Sequence, residues 1–185
     1  MGTIPRGFSY IKTVPFFLKI AAFAVLLTGL ITLGKFMDEV NRKSTFEFWG
    51  NKGRLDFGMF AIVVSWIVVM VMVAVFVSGL HEKVTIINWP LTVFINLVLW
   101  GIILFIAGCV IADAARRYDN DEKRLGTSKT WTFCDVLKST KHDVGCGLLA
   151  GASVTCFVAA VIFAVDGFFN FKLIRDKTPP PAVAT

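Results

Sequence analysis

Charged side chains are scarce: Asp, Glu, Lys and Arg make up 17% of the 185 residues, where a water-soluble domain carries about a quarter. That shortage disfavours an ordinary cytosolic enzyme. Cysteine is sparse as well. Cys109, Cys134, Cys146 and Cys156 are too few and too scattered for a disulfide scaffold, and none forms a Cys-x-x-Cys pair. His81 and His142 are single histidines with no second ligand nearby in sequence, so no metal centre is expected. No Asn-x-Ser/Thr acceptor occurs, so the outer loops should carry no N-glycan. A phosphate loop, a glycine-rich dinucleotide turn, a nucleophile elbow and an H-E-x-x-H helix are all missing, and with them the usual reasons to expect catalysis or a cofactor. The formal charge of +6 comes from basic residues interleaved with acids in loops, which is not the footprint of a nucleic-acid partner.

What is abundant is apolar sequence, at 56% of the chain. Four runs are long enough to cross a hydrocarbon core, which takes about 20 helical residues. They lie near Val14–Gly34, Phe57–Leu80, Leu91–Ala112 and Val144–Phe171. The second is Val-rich and uncharged; its length makes it a helix, since lipid forces a backbone to satisfy its own hydrogen bonds. Pro15 and Pro90 sit where a first helical turn begins and mark starts rather than kinks. The run from Phe16 to Gly34 is too long for the core of a signal peptide and no cleavage pattern follows it, so it reads as a retained span. The expected architecture is an all-α integral membrane four-helix transmembrane bundle over residues 14–171. An N-terminal arm (1–13) precedes it, and a tail (172–185) ending TPPPAVAT, expected to be disordered, follows.

Four spans put both termini on one side. Charge counting points the two larger loops, with twelve Lys and Arg against six at the termini and the short turn, toward the cytoplasm. A resemblance points the other way. The stretches VPFFLKIAAFAVLLTGLI, LDFGMFAIVVSW, HEKVTIINWPLTVFINLVLW and AAVIFAVDGFFNFKLIRDK resemble the MARVEL-domain tetraspans. The nearest likeness is to the chemokine-like-factor branch, with myelin-and-lymphocyte and plasmolipin proteins as cousins. It covers Tyr10 to Lys177. The resemblance implies cytoplasmic termini, no catalysis, and work in vesicle traffic, membrane apposition or the stabilising of partner membrane proteins. The W-GLW-C-C pattern of claudins is missing from the first loop.

Polar residues inside apolar spans are the candidate sites, because a charge in the bilayer costs roughly 2.5 to 3.5 kcal/mol even on lenient scales. Lys19, Asn96 and Asp166 fall some 7 to 9 Å below the same membrane surface at about 1.5 Å per residue. They suggest one layer: a Lys19–Asp166 ion pair between spans one and four, with a hydrogen bond from Asn96. The alternatives are snorkelling of Lys19 with Asp166 reaching interfacial water, or a proton or ion pathway. Gly147, Gly151, Thr155 and Ala159 recur every four residues on span four and suit close helix packing, either inside the bundle or against a partner or second copy. Trp89 is expected at the interface, while Trp66 and Trp100 lie within spans. The outer-loop aromatics Phe46, Phe48 and Trp49 suit the outer leaflet or a partner. Cys134 and Cys146 share the outer side, as a disulfide or as free thiols; Cys109 and Cys156 are expected to pack as small apolar residues. The expected partners are the lipid bilayer and other membrane proteins. The expected function is a non-enzymatic organiser or escort in traffic, the alternative an auxiliary subunit of a channel, transporter or junction complex, at the plasma membrane or in endomembrane vesicles.

Overall fold

A computed structural model describes residues 13–42, 52–80, 88–121, 123–124, 130–139 and 145–177. The arm before residue 13, the tail after 177, the aromatics Phe46, Phe48 and Trp49, and both histidines lie outside the described residues.

Four long helices carry the fold: α1 (Val14–Arg42), α2 (Lys52–Val77), α3 (Trp89–Asn120) and α5 (Gly147–Lys177). Each is long and apolar enough to cross a membrane, so the protein is an all-α integral membrane bundle. Between α3 and α5 come two short antiparallel strands, β1 (Lys123–Arg124) and β2 (Thr130–Trp131), and the seven-residue helix α4 (Phe133–Ser139). The major contacts run α1 to α2, α2 to α3, α3 to α5 and α5 back to α1, so the four helices form a closed ring. Pro90 opens α3, where a missing N–H costs nothing. The helical part of α2 gives way to a turn in which Gly79 takes φ of 69°, a backbone shape that glycine adopts without penalty.

The buried positions explain why the ring closes. On α1 they are Lys19, Ala22, Leu26, Gly29, Leu33, Phe36 and Val40; on α5 they include Leu149, Ala152, Cys156, Ala159, Phe163, Asp166 and Asn170, with Ser153 and Gly167 beside that line. Both sets step by three and four residues alternately, and so do Leu55, Gly58, Ile62, Ser65, Val69, Met72 and Phe76 on α2, with Ala61 buried beside them. This is the 3.5-residue seam along which helices stay in contact over their whole length. The outward residues are apolar too. Phe17, Phe60, Val71, Ile102, Phe105, Val161 and Phe168 are each more than half exposed, as lipid-facing side chains should be.

Helix α5 continues past Phe171 to Lys177, so residues 172–177 are helix and not the expected disordered tail, and α2 opens at Lys52, ahead of Phe57. At the end of the bundle where Cys134 and Cys146 lie, two more helices outrun their hydrophobic runs. Helix α1 continues beyond Gly34 to Arg42, and α3 continues beyond Ala112 to Asn120. The reason is a second small core at that end of the bundle. Phe36, Tyr118 and Phe133 are fully buried there, with the Tyr118 and Phe133 rings stacked 4.5 Å apart and Phe36 6.3 Å from Phe133. Thr132 caps α4, accepting from the Asp135 amide at 3.2 Å while its hydroxyl donates to the Asp135 carboxylate at 2.8 Å. Cys134 and Cys146 form a disulfide, with Cα atoms 5.8 Å apart, that ties α4 to the start of α5.

Candidate functional site

A buried polar layer lies at the end of the bundle opposite the disulfide. Lys19 enters from the second turn of α1 and Asp166 from near the end of α5. Lys19 Nζ stands 2.6 Å from Asp166 Oδ2, and both side chains are 3% exposed. Asn170, one turn beyond Asp166 on the same face, donates through Nδ2 to Asp166 Oδ1 at 3.3 Å and to the Asp166 carbonyl at 2.8 Å. The Lys19 ammonium also lies 6.0 Å from the centre of the Phe76 ring, at the end of α2. Three of the four spanning helices therefore meet around one ion pair. Phe76 in turn packs edge-on against Trp89, 6.2 Å away, so the indole at the start of α3 closes the layer.

Asn96 does not take part. It is half-buried, and the hydrogen bond expected from it comes from Asn170 instead. The buried seam of α3 at this level is Val93 and Leu97, and Asn96 sits about 100° round the helix from Leu97. Sequence depth alone placed Asn96 at the right height without its angle. Asn170 was missed because it lies near the polar exit of the span, although its spacing of four from Asp166 is a usable signal.

Removing either charge would leave the other buried without a partner, which is why such a pair holds two helices in one register. Farther along, Ser153 on α5 donates to the Gly108 carbonyl on α3 at 2.9 Å, a second buried cross-link. Ser65 Oγ and Trp66 Nε1 on α2 are buried with no hydrogen-bond partner among the described residues; the Trp66 ring stacks on Phe23 at 5.4 Å.

The small residues of α5 do not share one face. A spacing of four overshoots the helical turn by about 40° at each step, so Gly147 and Ala159 point roughly 120° apart. Ala159 is fully buried and Thr155 meets α1, where a Cβ on Gly29 would come within 2.5 Å of the Thr155 hydroxyl. At Gly147 and Gly151 an added Cβ meets nothing within 4 Å. Close approach is made instead by glycines on the facing helices: Gly29, Gly58 against Ile111, and Gly108 against Phe157.

At the disulfide end, Asp113 Oδ2 on α3 accepts from Arg117 Nε at 3.0 Å and from Arg54 Nη1 on α2. The spacing of Asp113 and Arg117 is legible as an i,i+4 pair; the link to Arg54, far away in sequence, is not. Cys156 is buried, whereas Cys109 is exposed on the outer face of α3 rather than packed inside. Among the described residues no three His, Cys, Asp or Glu side chains group as a metal site would require.

Compared with known proteins, residues 10–169 match the family model for MARVEL, described as a membrane-associating domain. No curated protein and no solved structure matches the chain.

Proposed function

Because this chain belongs to the MARVEL family of membrane-associating domains, we propose that it is a non-enzymatic tetraspan that organises membrane or escorts and stabilises partner membrane proteins during vesicle traffic. One observation carries the reading: the two charges buried within the spans, Lys19 and Asp166, pair with each other, while the outward helix faces are apolar. Such a molecule meets its surroundings sideways, through lipid and neighbouring helices. Within the family, the quoted stretches favour the chemokine-like-factor branch.

The orientation we propose has both termini in the cytoplasm, at the plasma membrane or in vesicles. It is supported by the Cys134–Cys146 disulfide, which belongs in an oxidising compartment, at the end of the bundle away from Lys19 and Asp166. That argument outweighs the count of basic residues in the loops, because a disulfide needs an oxidising compartment whereas the count is a statistical bias.

The second reading, an auxiliary subunit of a channel, transporter or junction complex, is favoured by Gly147 and Gly151, whose open side would admit another helix. Native purification of the tagged protein in mild detergent, with sizing and mass spectrometry of what accompanies it, separates the two. Many loosely held vesicle proteins are expected. A single complex of fixed stoichiometry would instead establish the auxiliary subunit, with Gly151→Leu expected to dissolve it while the bundle stays intact.

A further inference from the structure

Two hollows open on the outer surface of α3. One, of about 410 Å³, is lined by Arg54 from α2 and by Phe105, Ile106, Cys109, Val110 and Asp113 from α3. The other, of about 420 Å³, lies between α3 and α5 over Gly101, Ala160 and Ala164, and its walls are almost wholly apolar. Phe105 lines both. The first hollow is amphipathic in the direction of the membrane: ion-paired groups at its mouth and apolar side chains beneath.

We propose that this hollow is a phospholipid site, in which Arg54 from its lining and Arg117, one turn beyond Asp113 and outside the lining, hold the phosphodiester and the acyl chains descend on either side of Phe105. The charge fits. Two guanidiniums and the Asp113 carboxylate they share carry a net charge of +1, and a phosphodiester carries one negative charge. Each guanidinium has five N–H donors in a planar fork suited to phosphate oxygens, and only part of that capacity is used on Asp113. Both arginines remain partly open, at 35% and 47% side-chain exposure, so they can reach a headgroup. The depth fits as well. Phe105 lies about 12 Å below Asp113 along α3, within the roughly 15 Å of one leaflet's hydrocarbon. The small residues Gly101, Ala160 and Ala164 make room for a second chain beyond it. The occupant is a diacyl phospholipid of the leaflet on the disulfide side.

The test uses the full chain in phosphatidylcholine liposomes with a trace of probe carrying a photoactivatable group on its acyl chain. One probe is phosphatidylcholine and the other is diacylglycerol, which has the same tails and no phosphate. Label is mapped by mass spectrometry. The phosphatidylcholine probe is expected to mark the Phe105–Asp113 stretch several-fold more than the equally lipid-exposed Ile67–Val71 stretch of α2, and diacylglycerol to show no such preference. Arg54→Gln, which removes a charge-assisted hydrogen bond to the phosphate, should bring that labelling ratio down to about one, as for diacylglycerol. Cys109→Phe, which fills the hollow and leaves the ion pairs in place, should also abolish it; should Arg54→Gln fail to fold, this variant and the two-probe comparison decide. Equal labelling by both probes, or even labelling of α2 and α3, overturns the site. Retention of inorganic phosphate by the liposome-embedded chain, together with equal labelling by the two lipid probes, would assign the arginines to a free anion and overturn the lipid.

Discussion

At the scale of single residues, the Lys19–Asp166 pair dominates the energetics of the bundle's interior. Asp166→Asn keeps the shape and removes the charge, leaving Lys19 buried at 3% exposure against a neutral amide. Loss of one partner of a buried pair costs about 3–5 kcal/mol, so a clear drop in thermal stability in detergent and in folded yield is expected. The double variant Lys19→Met/Asp166→Leu should recover most of the loss, because apolar residues of similar size often replace a buried pair without penalty. An Asp166→Asn protein as stable as the parent would mean that both groups are solvated, the snorkelling alternative. The two charges stood out in the sequence because nothing else in their spans is ionised. The identity of the third member did not, since height along a helix is read from residue number but angle only from packing.

Helix packing sets a different kind of constraint, measured in contact distances. A Cβ at Gly29 would stand 2.5 Å from the Thr155 hydroxyl, so Gly29→Ala should destabilise by about 1–3 kcal/mol. Thr155→Ala should rescue it in part by removing that oxygen, and thermal melts of the two single variants and the double measure the coupling. Gly151→Ala, with open space around it, should change little. If Gly29→Ala melts with the parent, α1 and α5 are not in close contact at this level. The short elements between α3 and α5 answer to another restraint. Cys134→Ser opens a covalent loop whose closure is worth about 3 kcal/mol at this length. Hydrogen exchange is expected to rise through Thr130–Ser139 while the middles of α1, α2, α3 and α5 stay protected. Loosening spread evenly over all four would show that the small core around Phe133 is part of the bundle proper.

For the whole molecule the prediction concerns which way it faces. An Asn-x-Thr acceptor introduced between residues 125 and 129 is expected to be glycosylated on synthesis into microsomes, and one appended after Thr185 to remain unmodified. The reverse pattern would turn the protein over and place the disulfide in a reducing compartment, where it would not persist. Charge counting and the disulfide disagree on this point, and the disulfide is the better guide because it depends on the chemistry of one compartment rather than on a statistical bias.

Membership of the membrane, the number of spans and their approximate bounds follow from the sequence alone, because hydrocarbon demands about 20 apolar residues per crossing and tolerates few charges. Those rules act on composition, which is local. Which side of each helix faces inward was hidden from any such reading, since lipid and core are both apolar and the outward and inward residues look alike. Only packing of the four helices into a ring decided it, through glycines that admit a neighbour's side chain and through polar groups that must find one another. The extension of α1 and α3 beyond the hydrocarbon was likewise decided by contacts distant in sequence, where Phe36, Tyr118 and Phe133 bury one another.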